Sequence, residues 1–250
     1  VVVLAAVVNT DGLLVRTMIY EGNRQDVTTV REVVGTLACE TSQDTRKIVV
    51  MDAGFYSADN VKWLTDNHFD YITVLPSGCA KFTADSDKVV CHEDCRHQMI
   101  RLQMGKVEIE GAWHRALLVD SDAKALKELS MHAQAASRYE CGLEAIKAGI
   151  AKKGGTKSRD AVNNRLGRLD KQYGAIRKEY EVMFTYEGKG RKENAVAMEW
   201  RRKEECIAQR HKFHGKYVLL TSLDENDELN VWKFYNVIRK IGRASCRERV

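Results

Sequence analysis

Apolar and polar positions alternate differently along the chain, giving a strand-rich beginning, a helix-rich middle and a mixed end. Val1–Val8 and Leu13–Tyr20 are β-rich runs separated by Asn9-Thr10-Asp11-Gly12, and an Asp-Gly step between such runs predicts a hairpin. Thr29 and Glu32 have capping-box spacing, and Val30, Val33, Val34 and Leu37 recur on one helical face. Ile48-Val-Val-Met51 reads as a strand covered on both faces. Ser57 then has the character of an N-cap for a helix through about Asn67, with Val61 and Leu64 turned inward. A short strand, Asp70–Leu75, follows. The order β-β-α-β-α-β starts as an antiparallel hairpin and continues through crossover helices, so it predicts an α/β fold with a mixed sheet.

Beyond Pro76-Ser-Gly78, which holds the only proline, the pattern changes. Gly105–Val119 alternates like a second hairpin with a loop near Gly111. From Leu126 to Ile150, and again from Val162 to Tyr180, apolar positions step by threes and fours on either side of Lys152-Lys-Gly-Gly-Thr156. This predicts an antiparallel helical hairpin over about 122–180, its apolar seam packing internally. Strands are expected at Glu181–Tyr186, Ala195–Trp200 and Lys216–Ser222, and a helix over Glu228–Ile238. His211 and His214 read as surface loop residues.

With 250 residues and 44% hydrophobic content, the chain can bury a sizeable core. No run approaches the ~18 consecutive apolar residues of a membrane span, and the opening has no basic leader or cleavage site. Scattered cysteines in a highly charged chain fit a reducing cytoplasm. One cluster, Cys91-His-Glu-Asp-Cys-Arg-His97, has zinc-capable side chains, but no second ligand pair stands out, which favours a polar loop. The last residues, Ile241–Val250, are what translating ATC GGA AGA GCG TCG TGT AGG GAA AGA GTG would give, a sequence that resembles a sequencing-adapter strand. Gly242–Val250 are therefore set apart from fold reasoning as an expected artefact. Arg243, Arg247 and Arg249 against Glu248 supply +2 of the formal +5, leaving about +3 for the remainder.

Two features change this picture. The first is charge: Lys147–Lys178 holds ten Lys or Arg against Asp160 and Asp170, a local +8, and Arg201-Arg-Lys203 adds a second basic spot. Such a stripe is suited to a polyphosphate, because each neutralised phosphate releases counterions. The candidate contacts are Lys152, Lys153, Arg165, Arg168, Arg201 and Arg202. The second is Asp52, delivered by a strand into the small-residue turn Ala53-Gly54. An acid at a strand's carboxyl end is a common metal ligand, and equally a turn cap.

Three blocks together resemble the DDE-type insertion-sequence transposases of the insertion-sequence-four group, which have a ribonuclease-H-like core. The first is Tyr20-Glu-Gly-Asn-Arg-Gln-Asp-Val-Thr-Thr29, similar to the family's strand ending in Gly-Asn. The second, Val49-Val-Met-Asp-Ala-Gly-Phe-Tyr-Ser-Ala-Asp-Asn60 with Asp70-Tyr-Ile72, resembles the block of the second catalytic aspartate. The third, Tyr217–Leu223 with Val231–Ile241, resembles the approach to the catalytic glutamate. The family's Tyr-x2-Arg-x3-Glu-x6-Lys pattern, counted from Tyr235, places its arginine on Ile238, with Arg239 one place later, and its glutamate on Gly242.

The resemblance implies a ribonuclease-H-like mixed sheet with an inserted domain of β-strands and a helical hairpin. Residues 1–78 would form the first part of the core, 79–215 the insertion, 216–241 the return to the core, and 242–250 the artefact. It implies Asp52 as a catalytic and metal-binding residue, two Mg²⁺ or Mn²⁺ ions in the full-length parent, DNA element ends and target as partners, and no membrane partner. The parent could assemble as a homodimer. The family's first aspartate would precede Val1, so the chain is expected to be truncated at both ends and to keep one acid of three. Asp11 is better explained by its turn and Asp26 by a helix start; Glu21 is a third acid of the region. Competing expectations are a ribonuclease-H-like nuclease without strand transfer and a non-catalytic DNA-binding or assembly module.

Overall fold

A computed structural model describes residues 2–8, 14–21, 26–40, 47–76, 78–94, 97–188 and 193–247. The Asn9–Gly12 turn, the Gly22-Asn23 step and Cys95 lie outside the described residues. The chain forms two compact units, one of residues 1–122 and 216–250 and one of residues 123–215.

In the first unit, β1 (Val2–Val8) pairs antiparallel with β2 (Leu14–Glu21), as the Asp-Gly step predicts. Helix α1 (Asp26–Glu40) starts at Asp26, so Thr29 is not the cap: it lies within the first turns and is 2% exposed. The strands β3 (Ile48–Met51), β4 (Asp70–Leu75), β5 (Phe82–Ala84), β6 (Val90–Glu93), β7 (Met99–Ile109), β8 (Ala112–Ser121) and β11 (Lys216–Thr221) form one sheet. Its order is β3-β4-β11-β8-β7-β5, with β6 also on β7. Only β3 and β4 run parallel; the other pairs are antiparallel. The fold is an α/β ribonuclease-H-like arrangement around a mixed sheet.

The β7–β8 hairpin is hydrogen-bonded to β11, with Leu219 opposite Leu117. It therefore belongs to the first unit, and the second begins at Ala123 rather than at residue 79. Alternation identified the hairpin, but alternation does not specify the next strand over. Strand β3 is covered on both faces, as its composition suggests, but incompletely: Ile48, Val49 and Val50 are half-buried and only Met51 is buried, because β3 ends the strand path among the described residues.

Helix α2 (Ala58–Asp66) is capped by the Ser57 hydroxyl, which accepts from the Asn60 amide at 3.0 Å, and it buries Val61 and Leu64. One face of the sheet packs Val49, Met51, Tyr71 and Leu220 against Val30 and Val34 of α1 and Val61 and Leu64 of α2. On the other, Ile48, Val50, Ile72, Val74, Leu219, Leu117 and Val119 meet Val231, Trp232 and Tyr235 of α6 (Glu228–Arg247).

The second unit holds α3 (Asp122–Ala151), α4 (Arg159–Gln172), a two-stranded ladder of β9 (Tyr180–Glu187) and β10 (Asn194–Arg202), and α5 (Glu204–His211). The helical pattern expected to reach Tyr180 stops at Gln172; a 3₁₀ turn at Arg177–Glu179 follows and Tyr180 opens β9. Gly142 allows the α3–α4 approach, since a Cβ there would lie 2.5 Å from a Leu169 methyl. Among the described residues, no helix is long and apolar enough to cross a membrane.

Candidate active site

Strand periodicity fixes the direction of Asp52. Ile48 and Val50 face α6, while Val49 and Met51 face α1 and α2. Asp52 keeps extended backbone angles (φ −79°, ψ 168°), so it is next in the Ile48–Val50 series and leaves the strand end on the α6 side. It is exposed. Its Oδ1 accepts from the Ala53 amide at 2.7 Å, and the Phe55 amide donates to its carbonyl at 3.0 Å. Asn60, 3% exposed, holds the far end of the turn by donating from Nδ2 to the Phe55 carbonyl at 3.2 Å. Asp52 thus caps its turn with one oxygen, and Oδ2 has no hydrogen-bond partner among the described residues. Capping and ligation use different oxygens of one carboxylate and are compatible.

Two phenols lie beneath this turn. Burial, with Glu110's charge second, raises Tyr56 above the usual phenol value. Burial first and Tyr56 second push Tyr71 up to about 12. Both stay protonated at neutral pH and are not bases there.

Helix α6 crosses the same face. Trp232 lies against the His92 ring of β6 (centroids 5.5 Å) and donates to the Tyr217 hydroxyl at 3.3 Å, and Tyr235 packs on the Tyr217 ring at 6.0 Å. The helix extends to Arg247 and reaches β3. Its backbone is therefore helical through most of the segment set apart as an artefact. Position 242, seven residues beyond Tyr235, repeats that residue's helical phase.

No grouping of three or more His, Cys, Asp or Glu among the described residues could hold a metal ion. Asp70 is committed to the Ser222 hydroxyl at 3.0 Å. The Asp11 position and the Asp26 side chain lie outside the described residues, and Glu21 is exposed. A single carboxylate offers Mg²⁺ too few oxygens for its octahedral shell, so these residues do not fit a two-ion centre. In the Cys91–His97 segment, His97 adopts φ 58° and pairs with Glu93, and Asp94 accepts from the Gln98 amide.

The basic candidates lie in the second unit and divide into two kinds. Lys152 and Lys153 are exposed at the α3–α4 turn, Arg165 and Arg168 are exposed on α4, and none has an ion-pair partner among the described residues. Arg201 and Arg202 are already matched: Arg201 binds Glu181 and Arg202 binds Glu140, both at 2.6 Å. Arg159 and Arg177 are likewise held, by Glu193 at 2.5 Å and Asp170 at 3.2 Å. The local charge excess overstates what is available to a partner, and it concentrates the free cations at the hairpin tip and along α4.

The family model described as the transposase DDE domain matches residues 2–175, more than half of the chain. The chain belongs to the DDE transposase family. The matched range of this transposase domain includes the Asp52 turn and α4 but ends before Tyr217–Ile241, so the third resembling block stands on its own residues. A comparison with curated proteins gave no match.

Proposed function

We propose that the chain is part of a cut-and-paste DNA transposase in which Asp52 supplies the second of three carboxylates of a two-metal centre. The observation that carries this reading is the placement of Asp52 at the end of β3, on the face crossed by α6, with one carboxylate oxygen left over by its turn. Asp52 would be one ligand of a Mg²⁺ or Mn²⁺ ion there, and the chemistry such ions would supply is Lewis-acid assistance to phosphodiester cleavage. Asp52 contributes the ligand oxygen, and its own turn, held by Asn60, fixes the carboxylate's orientation.

The other two acids are expected at position 242, where this chain has glycine, and on a strand preceding Val1. Among the described residues β3 ends the strand order, which is compatible with such a strand. By itself the chain would then bind without turning over, and the lone Asp52 carboxylate, with no metal-holding group around it among the described residues, favours this second reading, a DNA-binding module. Exposed Lys152, Lys153, Arg165 and Arg168 are the proposed phosphate contacts. Arg201 and Arg202 contribute less, being ion-paired.

The test is to read the nucleotide sequence across both ends of this segment, then incubate the encoded protein with element ends and Mg²⁺ or Mn²⁺. Glu at position 242, an upstream aspartate strand and joined DNA products are expected. Cleavage without joining would identify a nuclease, and absence of both acids would overturn the assignment.

A further inference from the structure

Three of the chain's seven histidines meet in the second unit, at the point where the chain turns toward β11. His132 of α3 lies edge-on to His211 of α5 (centroids 5.3 Å, interplanar 85°) and 5.8 Å from His214, and His211 and His214 are 5.0 Å apart. His132 Nε2 is 2.7 Å from Oε2 of Glu179, a carboxylate 2% exposed. Arg210 Nε is 2.8 Å from the other oxygen of Glu179, and Arg210 also donates to the Ala175 carbonyl at 2.7 Å. Glu128 of α3 accepts from the Gly215 amide at 2.8 Å and pairs with Lys124 at 2.8 Å. Glu205 and Lys178 border Glu179 from a neighbouring cleft, and Lys212 is exposed.

The charge balance of this cluster is tight. Glu179 can match one imidazolium, His132, while it also serves Arg210. Glu128 is already held by Lys124 and the Gly215 amide. A second imidazolium would sit within 6 Å of the first and beside Arg210, and among the carboxylates named only Glu205, exposed in the neighbouring cleft, has no partner among the described residues. Like charges at that range, partly out of water, repel more strongly than on an open surface. His214 Nδ1 is buried and has no hydrogen-bond partner among the described residues; burial and the neighbouring His211, His132 and Arg210 oppose a proton on this ring, against Glu128's charge, which favours one.

We propose that His132, His211 and His214 form a proton-operated latch that holds α5 and the turn after it against α3 while no more than one ring is charged, and releases them when a second ring protonates. Burial first, then His211, holds His214 below the ordinary imidazole value of 6.5. The sign follows: the unfolded or released segment binds more protons than the latched one. Latching is therefore fully present above about 6.5 and is lost as pH falls below it. The segment affected, Glu204–Gly215, leads into β11 at the middle of the sheet.

The test is hydrogen exchange on the full 250-residue chain at pH 7.5 and 5.5, corrected for the intrinsic pH dependence of exchange. Amides of 204–215 should lose about tenfold in protection at pH 5.5, with α4 unchanged as internal reference. His211→Gln and His214→Gln should each reduce that pH dependence while the chain stays folded by far-ultraviolet circular dichroism. If neither variant folds, the imidazole proton resonances of the wild-type chain serve instead, and one ring of the three must titrate well below the others. Equal pH dependence in 204–215 and α4, three independent titrations near 6.5, or tight stoichiometric uptake of Zn²⁺ by the three rings would overturn the latch.

Discussion

The two units are built on different chemistry. The sheet of the first is closed by aliphatic side chains: Ile72, Leu102, Leu117, Val119, Leu219 and Val231 are all fully buried, and their packing needs no polar partner. The second is organised around aromatic rings tied to carboxylates. Tyr139 donates to Asp170 at 2.7 Å, Tyr180 to Glu140 at 2.5 Å and Trp200 to Glu144 at 2.8 Å, and Arg177 and Arg202 close the first two. A charged residue in the second unit is therefore as much a core component as a surface one. That is why its basic stripe, taken at face value, overestimates what can meet a phosphate.

The sharpest way to separate the two kinds of core is truncation in the first. Leu219→Ala, fully buried on the α6 face, should cost about 2–5 kcal/mol in urea unfolding. Alkali should act next. Tyr71 is pushed up to about 12, so the unfolded chain releases this proton near 10 and the folded chain does not. The stabilisation is whole below pH 10 and is lost as pH rises through 12, amounting to about 2–3 kcal/mol. Phenolate absorbance should show this tyrosine ionising only with unfolding, and Tyr71→Phe should remove the delayed step.

Smaller effects probe the second unit. Tyr180→Phe leaves Glu140 with Arg202 alone and should cost about 1–3 kcal/mol, measurable by denaturant titration. For DNA binding, neutralising Lys152, Lys153, Arg165 and Arg168 should flatten the salt dependence by up to about 0.9 in log–log slope per lost contact. The Arg201→Gln/Arg202→Gln pair should change the slope by less, and equal slopes would mean the ion pairs do not withhold those cations. Asp52→Asn should have the least effect on folding, within about 0.5 kcal/mol, because the side chain is exposed and an amide oxygen can still accept from Ala53.

Much of the first unit could be read from period alone, since Ile48–Met51, Asp70–Leu75 and Lys216–Thr221 are short apolar runs with clear ends. Their neighbours could not: whether β8 joins β11 or a separate domain depends on pairing between residues about a hundred positions apart. Helix α5 was missed because Glu204–His211 carries only Cys206, Ile207 and Ala208 as apolar positions and buries none of its residues. Tyr173, Ile176 and Tyr180 kept a helical spacing across a real boundary because each packs into the same cluster from a different element.

At the site, Asp52 stood out by its strand and its small-residue turn. Its facing became clear only when α6 was seen to share the side of Val50. The neutralisation of Arg202 by Glu140, 62 positions away, had no local signature, and neither did the meeting of His132 with His211 and His214. The expectation that the last two are plain surface loop residues holds only in part: His211 is exposed but ends α5 rather than lying in a loop, and His214 is half-buried against both other rings.

Asp120 and Lys216 lie opposite each other on adjacent antiparallel strands, so the chain leaves the sheet and returns to it at one point. Residues 123–215 thus occupy the place of a hairpin loop. The excursion could be excised, taking the β9–β10 ladder with it whole, and replaced by a two-residue Asn-Gly turn without cutting any strand of the seven-stranded sheet.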